Sequence, residues 1–569
     1  MTKSMIQTRP FSEKVAQRLQ QAGATPLLAR LLAARSVESE AQLNEQLSSL
    51  LPYQQLKNCE AAAERLADAI AAQEKILIIA DYDADGATAC AVGIKGLSAM
   101  GAVVDFLVPN RLTDGYGLTP ELSEKAYEMG AQLLLTVDNG IASVAGVARA
   151  KALGLDVVVT DHHLPGQTLP DCLIVNPNQQ GCTFASKSLA GVGVMFYVLM
   201  ALRATLRARG VFSGSRKEPN LAELLDLVAL GTVADVVPLD FNNRILVSQG
   251  LKRIRAGKMS IGVQALFAAA RRKSYQAKTF DMGFALAPRI NAAGRLDDMS
   301  VGIACLLAND SEQAQMLAQD LNVLNQERQS IEQDMLENVL NTFGDTLPEN
   351  QNNICVYRED FHIGVVGIVA SRLKDKFYRP VIVFAPAENG ELRGSGRSIM
   401  GIHLRDVLDR ISKREPDLII KFGGHAMAAG LTIDAQNFSR FQAAFTDVID
   451  EMTNKEMFAR TFITDGSLSV DELTLDTARL LDKQVWGQGF APPCFNDEFT
   501  VCEQRAIGSE QKHLKAILMR DGQQFEAMFW HCQQTLPERL HLVYRPVVNE
   551  YKGQEELQLY ADYWEQAKI

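Results

Sequence analysis

The 569-residue chain lacks the features that mark several classes of protein. Its nine cysteines are scattered, without a CxxC pair or the spacing of a zinc site, which excludes a disulfide scaffold and favours a reduced, cytosolic protein. Its longest apolar run, from Leu189 to Leu202, is shorter than the roughly 20 residues that cross a bilayer, and its N-terminal residues do not resemble a signal peptide. We therefore expect a soluble protein with no membrane partner.

The chain also lacks an excess of basic charge. Lys and Arg number 57 against 68 Asp and Glu, a net charge of −11, which argues against a nucleic-acid partner if the chain is taken as a whole. Residues 241–280 reverse this balance, because they contain no acidic residue. Their basic residues are Arg244, Lys252, Arg253, Arg255, Lys258, Arg271, Arg272, Lys273 and Lys278. This segment suits either a polyanion or a solvated helical face balanced by acidic neighbours.

Composition and pattern predict several domains of an α/β protein. The chain is 47% hydrophobic and 22% charged, as globular proteins are. After an N-terminal segment (1–60), residues 61–310 alternate short apolar runs with helical stretches, the pattern of a parallel sheet. Residues 311–345 predict a connecting helix, 346–455 a second mixed α/β domain, and 456–569 a small β-barrel of short strands.

Acidic residues or histidines directly follow three of the apolar runs of the first α/β region, those that end at Ala80, Val137 and Thr160. The runs of this region are Ile76–Ala80, Val103–Val108, Leu133–Val137, Asp156–Thr160 and Leu173–Val175. The motifs are Asp81-Tyr-Asp83-Ala-Asp85-Gly86, Asp138-Asn-Gly140, Asp161-His162-His163 and, after a helical run, Gly231-Thr-Val-Ala-Asp235. Taken singly, such motifs are usually Asx loops or helix caps. Together they would meet at one edge of a parallel sheet, where carboxylates repel each other unless a cation is bound. The set predicts two divalent ions, Mn²⁺ or Mg²⁺, in a phosphoryl-transfer site.

These motifs resemble those of the DHH phosphoesterase superfamily, and within it the bacterial RecJ family of single-strand-specific 5′→3′ DNA exonucleases. The resemblance extends over roughly residues 60 to 569. It also includes Pro288-Arg-Ile-Asn-Ala-Ala-Gly-Arg295, Gly394-Ser-Gly-Arg-Ser398 and Phe422-Gly-Gly-His425. It implies a parallel-sheet DHH domain, a DHH-associated substrate-binding domain joined to it by the long helix, and a C-terminal OB-fold barrel.

The resemblance also implies roles for the acidic motifs. The metal ligands would be Asp83, Asp85, Asp138, His162 and Asp235, with Asp138 bridging the two ions. Asp81 stands where smaller DHH enzymes have a histidine ligand upstream, so either Asp81 or water would complete the first metal site. His163 would contact the scissile phosphate or help a proton move, and Asp161 would orient a histidine.

Arginine binds phosphate bidentately, and the resemblance assigns Arg289, Ser395 and Arg397 to a 5′-phosphate pocket. We expect Gly394–Ser398 to be a Gly-rich loop whose amides approach an anion, or otherwise a plain tight turn. Arg289 is otherwise a structural ion-pair former. Arg111 is a further phosphate contact, and His425 would lie across the cleft from the metals.

Tyr116 and the barrel aromatics each allow two interpretations, whereas one glycine pair carries no prediction. Tyr116, between two glycines, either stacks on a base or packs against the core. Most barrel aromatics are expected in the core, while the strand-binding candidates are Lys512, Lys515, Arg520, Phe529 and Trp530. Gly191-Val-Gly193 matches only part of a dinucleotide fingerprint and predicts no such cofactor.

The predicted function is removal of nucleotides from the 5′ end of single-stranded DNA, in recombination and repair. The resemblance implies single-strand-binding protein and a recombination helicase as partners of a cytoplasmic protein, and a monomer is the default. The alternatives are a phosphoesterase for small molecules, whose relatives lack the barrel, and a non-catalytic DNA-binding scaffold, which intact acidic motifs disfavour.

Overall fold

The computed structural model describes residues 4–111, 114–344, 346–348, 350–508 and 511–567. These residues belong to two compact units. The larger unit contains Arg9–Asn325 and the C-terminal residues from Thr464 onward. The smaller contains Gln326–Ile463 and the described residues up to Thr8.

A five-stranded, all-parallel sheet lies at the centre of the larger unit. The chain begins with β1 (Met5–Thr8), which belongs to the smaller unit. Up to the last strand of the sheet, the elements of the larger unit are α1 (Glu13–Gln21), α2 (Pro26–Ala33), α3 (Cys59–Ala72), β2 (Lys75–Ala80), α4 (Ala84–Met100), β3 (Val103–Leu107), α5 (Pro120–Glu128), β4 (Leu133–Val137), α6 (Val144–Ala152), β5 (Asp156–Thr160) and β6 (Leu173–Val175). The strand order is β3-β2-β4-β5-β6. Ile76 and Ile78 belong to one hydrophobic core, Leu77 and Ile79 to another. Because both faces are covered, the strands are nearly continuous apolar runs. The parallel sheet predicted from the sequence is confirmed.

Helices continue this unit beyond the sheet. They are α7 (Gly191–Ala208), α8 (Leu225–Ala234), α9 (Phe241–Arg255), α10 (Ile261–Ala269), α11 (Thr279–Asp281), α12 (Ala287–Leu296), α13 (Ser300–Leu307) and α14 (Ser311–Phe343), with one π-helical turn, Met282–Leu286, between α11 and α12. Among the described residues, only α7 is long and apolar enough to cross a membrane, and 67% of it is buried inside the protein, as expected of a core helix. The long α14 lies where the sequence predicts it.

Several basic residues of 241–280 pair with carboxylates from other elements. The Lys252, Lys273 and Lys278 ammonium groups lie 2.9, 2.8 and 2.5 Å from Glu45, Glu550 and Asp482. For these three lysines the structure favours the balanced helical surface over an open polyanion site.

The smaller unit has its own five-stranded sheet, in the order β10-β11-β9-β8-β7. Its elements are β7 (Ile354–Tyr357), α15 (Val366–Phe377), β8 (Val381–Pro386), β9 (Glu391–Arg397), α16 (Leu404–Arg414), β10 (Lys421–Gly424), β11 (Ala428–Asp434) and α17 (Phe438–Met452); β12 (Thr461–Thr464) follows. The expectation of a loop or tight turn at 394–398 is wrong, because Gly394 to Arg397 belong to the central strand β9 and only Ser398 lies beyond it. Its glycines allow close packing. A Cβ on Gly394 would lie 2.5 Å from the Phe384 ring, and one on Gly396 2.5 Å from Leu404.

A closed barrel ends the chain, with strands in the order β13-β14-β15-β17-β16. Its elements are β13 (Phe495–Ile507), β14 (His513–Arg520), β15 (Gln523–Phe529), β16 (Arg539–Tyr551) and β17 (Gln554–Gln566), preceded by α18 (Leu475–Lys483). Strands of up to 13 residues replace the short strands expected from 456 onward, since residues before Phe495 form α18 and turns. Phe495, Phe499 and Tyr544 fill the barrel interior, as expected for its aromatics.

Candidate metal centre

The loop after β2 places three aspartates at the carboxyl edge of the sheet. Asp81 is 4% exposed, and Asp83 caps α4 by accepting hydrogen bonds from the amides of Asp85 and Gly86, both at 3.0 Å. Gly86 is required here, because a Cβ would lie 2.4 Å from the Asp81 carbonyl oxygen. The Ala84 amide donates to Asn291 Oδ1 at 2.8 Å, so α12 fixes the loop from outside.

Asp138 lies on a strained backbone at the end of β4. Its φ is +62°, a left-handed conformation that is uncommon for non-glycine residues and costs free energy. Asn139 stabilises the turn by donating from Nδ2 to the carbonyls of Ile79 and Val137, at 3.0 and 2.9 Å. Thr136 Oγ1 donates to the Asn139 carbonyl at 2.6 Å. These bonds hold the Asp138 carboxylate, 1% exposed, at the sheet edge.

Asp85 is held by the N-terminus of α7. The amides of Gly191 and Val192 donate to its two carboxylate oxygens at 2.7 and 2.9 Å, where the helix dipole favours a negative charge. A Cβ on Gly191 would lie 2.5 Å from Asp138 Oδ1, so glycine lets the helix end approach both aspartates. The sequence interpretation missed this role of Gly191 and Val192, and the isolated GVG motif was the only signal for it.

The two histidines of the Asp161-His162-His163 motif have different partners. Asp161 accepts hydrogen bonds from the Ile141 amide at 2.8 Å and from His163 Nδ1 at 2.7 Å. His162 instead points its Nε2 toward Asp138 Oδ1, 3.1 Å away, and Asp235 Oδ2, 3.4 Å away. Asp161 is therefore placed to orient His163, while His162 faces the carboxylates.

Three overlapping groups of side chains could each hold a metal ion. They are Asp81, Asp83 and Asp138; Asp85, His162 and Asp235; and Asp138, His162 and His163, with the candidate ligand atoms of each group within 4.8 Å of one another. All six residues predicted as ligands are thus brought together. Asp138 Oδ1 and His162 Nε2 are buried without a hydrogen-bond partner among the described residues. Such unsatisfied atoms are costly unless something binds them, and carboxylate oxygens with imidazole suit Mn²⁺ or Mg²⁺.

The ionisation of the site fits a bound cation. Burial, reinforced by repulsion from Asp83, raises the pKa of Asp81 to about 8 and that of Asp85 to about 7. The pKa values of Asp138 and Asp235 are raised well above their usual range by burial and by neighbouring carboxylates. These groups are therefore poorly stabilised as anions by the protein alone, and a divalent ion would supply the missing charge.

The two histidines titrate in opposite directions. Burial and the charge of His163 lower the pKa of His162 to about 4, which leaves it neutral and able to bind a metal. Burial also acts to lower the pKa of His163, but the hydrogen bond and charge of Asp161 outweigh it and raise the value to about 9. His163 is therefore a cation at neutral pH.

Tyr116 and Arg111 lie beside this cluster. The Tyr116 hydroxyl is 3.4 Å from both the Asp138 carbonyl and His163 Nε2, and its ring meets the rings of Tyr82 and His163 edge to face. Tyr116 is 48% exposed, so it borders the site rather than the core. The Arg111 guanidinium lies 4.3 Å from the centre of the Tyr82 ring, and its charge favours ionised Asp81.

The substrate-binding candidates fall in both units. In the larger unit, Arg289 donates to Asn322 Oδ1 at 3.1 Å and to the Ala285 carbonyl at 2.6 Å, and forms no ion pair within the described residues. The alternative of a structural ion pair therefore loses support. In the smaller unit, His425 is exposed in the turn between β10 and β11, where its amide donates to the Ala428 carbonyl.

Ser395 and Arg397 face the start of α15. Arg397 Nη1 lies 3.2 Å from Ser395 Oγ, and a Cβ on Gly367 would lie 2.9 Å from that oxygen and 3.2 Å from Arg397 Nη2. Burial lowers the pKa of Arg397, which has no carboxylate partner in the described part of the chain. A hydroxyl, a guanidinium and a helix N-terminus together form a suitable anion site, although Ser395 and Arg397 lie on a strand and not in a loop.

The strand-binding candidates of the barrel differ in solvent exposure and in ion pairing. Phe529 is 2% exposed and belongs to the core, whereas Trp530 is 46% exposed beside the His513 and Tyr560 rings. Lys515 and Arg520 pair with Glu526 and Asp497, at 2.5 and 2.9 Å. Trp530 thus remains the exposed aromatic candidate of the barrel.

Comparison with known families agrees with this architecture. Residues 75–232 match the N-terminal domain of the DHH family, 350–451 the DHHA1 domain, and 464–563 the RecJ OB domain. The chain thus has the domains of a metal-dependent phosphoesterase of the DHH class, and the candidate metal centre lies on the sheet of its DHH domain.

Relatives of nearly the same length identify the family within this class. Single-stranded-DNA-specific exonucleases RecJ from Salmonella typhimurium and Escherichia coli are 48% and 47% identical to this chain, each over 94% of it and 95% of their own length. The Mn²⁺ complex of RecJ from Thermus thermophilus has a TM-score of 0.84 at 30% identity, covering 100% of this chain and 80% of that one. This chain belongs to the RecJ family.

Proposed function

We propose that this chain is an exonuclease that hydrolyses single-stranded DNA from the 5′ end, using two divalent ions, Mn²⁺ or Mg²⁺. The observation that carries the proposal is the buried cluster in which Asp138 Oδ1 and His162 Nε2 lack a hydrogen-bond partner in the described structure. Membership of the RecJ family and the OB barrel support the choice of substrate, because OB folds bind single strands.

The ions would be held by Asp83, Asp85, Asp138, His162 and Asp235, with Asp81 available to complete one site. When bound, they would activate water and neutralise charge on the phosphoryl oxygens. The chain orients this centre through the amides of Gly191 and Val192 and through the strained turn at Asp138.

His163 and Tyr116 supply the hydrogen-bond donors. His163 is kept protonated by Asp161, and its ring lies at the edge of the cluster with its side chain 44% exposed. It is placed to donate an N–H to a phosphate oxygen and to pass a proton toward the leaving oxygen. Arg111, above Tyr82, would hold a neighbouring phosphate.

The family resemblance assigns Ser395, Arg397 and Arg289 to binding of the 5′ phosphate, and His425 to the substrate motif of the DHH-associated domain. Charge and donor geometry support the first two, since a hydroxyl and a guanidinium without a carboxylate partner point at one helix N-terminus. This pocket would fix the strand end relative to the metals, as an exonuclease requires.

The finer biological assignments follow from the family resemblance. We propose that the protein acts in the cytoplasm as a monomer, in recombination and mismatch repair, with single-strand-binding protein and a helicase as partners. Size-exclusion chromatography with light scattering tests the monomer, which predicts a mass near 62.5 kDa. A mass twice as large would contradict it.

The activity itself is tested on an oligonucleotide labelled at its 3′ end, with Mn²⁺ or with EDTA. The expected result is shortening from the 5′ end of the single strand only, absent with EDTA, on a blunt duplex and in Asp138→Ala. Asp171→Ala is the matched control, because the Asp171 carboxylate lies on the same domain and is 96% exposed. A folded wild-type protein that leaves the strand intact under Mn²⁺ would contradict the proposal, and pyrophosphate and dinucleotides would then be tested.

A further inference from the structure

Two phenylalanines of the larger unit present adjacent rings to solvent. Phe280 is 54% exposed and Phe284 73%, and their ring centres lie 4.8 Å apart at an interplanar angle of 25°. A pair of exposed aromatic rings is an apolar patch of the kind that marks an interaction site. The outer face of Phe284 is open to a third flat ring.

The backbone holds these rings firmly. Phe284 lies in the π-helical turn Met282–Leu286, in which Met282, Ala285 and Leu286 are buried. Thr279 Oγ1 donates to the Trp486 carbonyl at 2.6 Å, which anchors the preceding turn to the segment before the barrel. Single π-turns are rare and occur frequently at functional sites. Phe284 is the exposed large side chain of this turn.

The same helical run reaches the metal centre. Gly283 packs against Val233, two residues before Asp235, since a Cβ there would lie 3.4 Å from that valine. Seven residues after Phe284, Asn291 bonds the amide of Ala84 in the aspartate loop. The helical run that carries Phe284 therefore contacts the metal-binding region at two points.

A positive charge in the same helical run favours a nucleic-acid strand over an apolar protein surface. Arg289, five residues after Phe284, donates to two neutral acceptors and has no carboxylate partner in the described residues. An open aromatic ring and an unpaired guanidinium on one short segment suit a strand that carries both bases and phosphates.

We propose that Phe284, backed by Phe280, is a stacking platform for a nucleobase of the single strand that lies beyond the metal centre. The proposal rests on the proposed function and adds to it a base-binding position outside the metal centre. Strands too short to reach the platform would gain nothing from it.

The test measures binding of a 5′-phosphorylated oligonucleotide in EDTA by fluorescence anisotropy, and KM under Mn²⁺. Phe284→Ala is expected to weaken binding and raise KM by about 5- to 100-fold, the range of one base–aromatic stack, while Phe284→Trp retains both. Phe284→Leu should resemble Phe284→Ala, because it keeps an apolar side chain without a flat ring. Tyr127→Ala removes another exposed aromatic, 53% exposed on α5, and should change neither value.

An abasic scan locates the stacked base. One abasic position near the 5′ end should weaken wild-type binding as Phe284→Ala does, and the two losses should not add. Dinucleotides should be cleaved equally by wild type and variant.

The platform would be overturned if Phe284→Ala kept the wild-type KM and Kd, or if the losses from Phe284→Ala and from the abasic position added. Either result would leave the exonuclease proposal intact and would point to a protein contact at the rings. A wild type that binds the strand but fails to cut it would overturn only the exonuclease, since the binding arm still tests the rings. A wild type that does not bind single strands overturns both.

Discussion

Glycine serves different purposes in the carboxylate cluster of the first sheet and in strand β9 of the second. Around the cluster, Gly86 and Gly191 let backbone approach the candidate ligands Asp81 and Asp138. In β9, Gly394 and Gly396 instead admit the apolar side chains of Phe384 and Leu404 on the face opposite Ser395 and Arg397. The comparison shows that a Gly-rich motif need not indicate a loop, because its glycines can instead make room for neighbouring side chains.

The two regions also differ in how much charge they concentrate. The cluster brings six candidate carboxylate or imidazole ligands within short range, and the pKa values of four of its carboxyl groups are raised there. The β9 site has one serine and one arginine that face a helix N-terminus. We therefore expect changes in the cluster to abolish chemistry, and changes in β9 to alter the choice of substrate end.

The largest effect is expected for Asp138→Asn. Removing a ligand that belongs to two of the three candidate metal groups should lower kcat by about 10³-fold or more, because metal catalysis supplies several kcal/mol. Steady-state cleavage of a single strand under Mn²⁺ measures this. The Asp171→Asn control should keep full activity, and an Asp138→Asn variant within tenfold of wild type would contradict the assignment.

Sequence reasoning found this cluster because parallel strands bring their carboxyl ends to one edge, and the motif after each strand is local. It could not find the bond between Asp85 and the amides of Gly191 and Val192, since 106 residues separate the two elements and amides carry no sequence signature. It placed Gly394–Ser398 in a loop because glycine suggests a turn, whereas only the neighbours Phe384 and Leu404 explain it. Sequence reasoning also could not place the start of the barrel at Phe495, because that boundary depends on pairing between strands that are far apart in the sequence.

Gly191→Ala is the next largest change. Its methyl group would meet Asp138 at 2.5 Å and displace the helix end from Asp85, so we expect Mn²⁺ affinity to fall by about 10- to 100-fold, as in losses of ligand-orienting contacts. Calorimetric titration with Mn²⁺ measures it. Gly214→Ala, where a Cβ meets nothing within 4 Å, is the matched control. Unchanged affinity in Gly191→Ala would mean that the close approach is not needed.

Arg397→Ala should have a smaller and more selective effect. Loss of a charge-assisted bond is expected to reduce cleavage of a 5′-phosphorylated strand by about 10- to 100-fold, and to change a 5′-hydroxyl strand little. Rates on the two strands give the discrimination directly. Arg393→Ala, on the same strand but exposed, should leave it unchanged. Equal losses on both strands would remove Arg397 from the 5′-phosphate pocket.

The smallest effect is a pH dependence of stability. Asp81 and Asp85 have folded-state pKa values of about 8 and 7, above the unfolded value near 3.8, so the metal-free fold holds more protons than the unfolded chain between these limits. Its stability should therefore fall as pH rises from 5 to 8, by a few degrees in Tm. Mn²⁺ should raise Tm most at pH 8. Thermal scans with and without EDTA decide this, and a metal-free Tm that rises over this range would contradict the repulsion.

The central claim is that the sheet edge binds two metal ions through Asp138. The most direct measurement is the number of Mn²⁺ ions bound per chain, by electron paramagnetic resonance, in wild type and in Asp138→Asn. The account predicts two ions in wild type and a marked loss of both in the variant. Absence of bound Mn²⁺ in folded wild type, or the same two ions in Asp138→Asn, would contradict it.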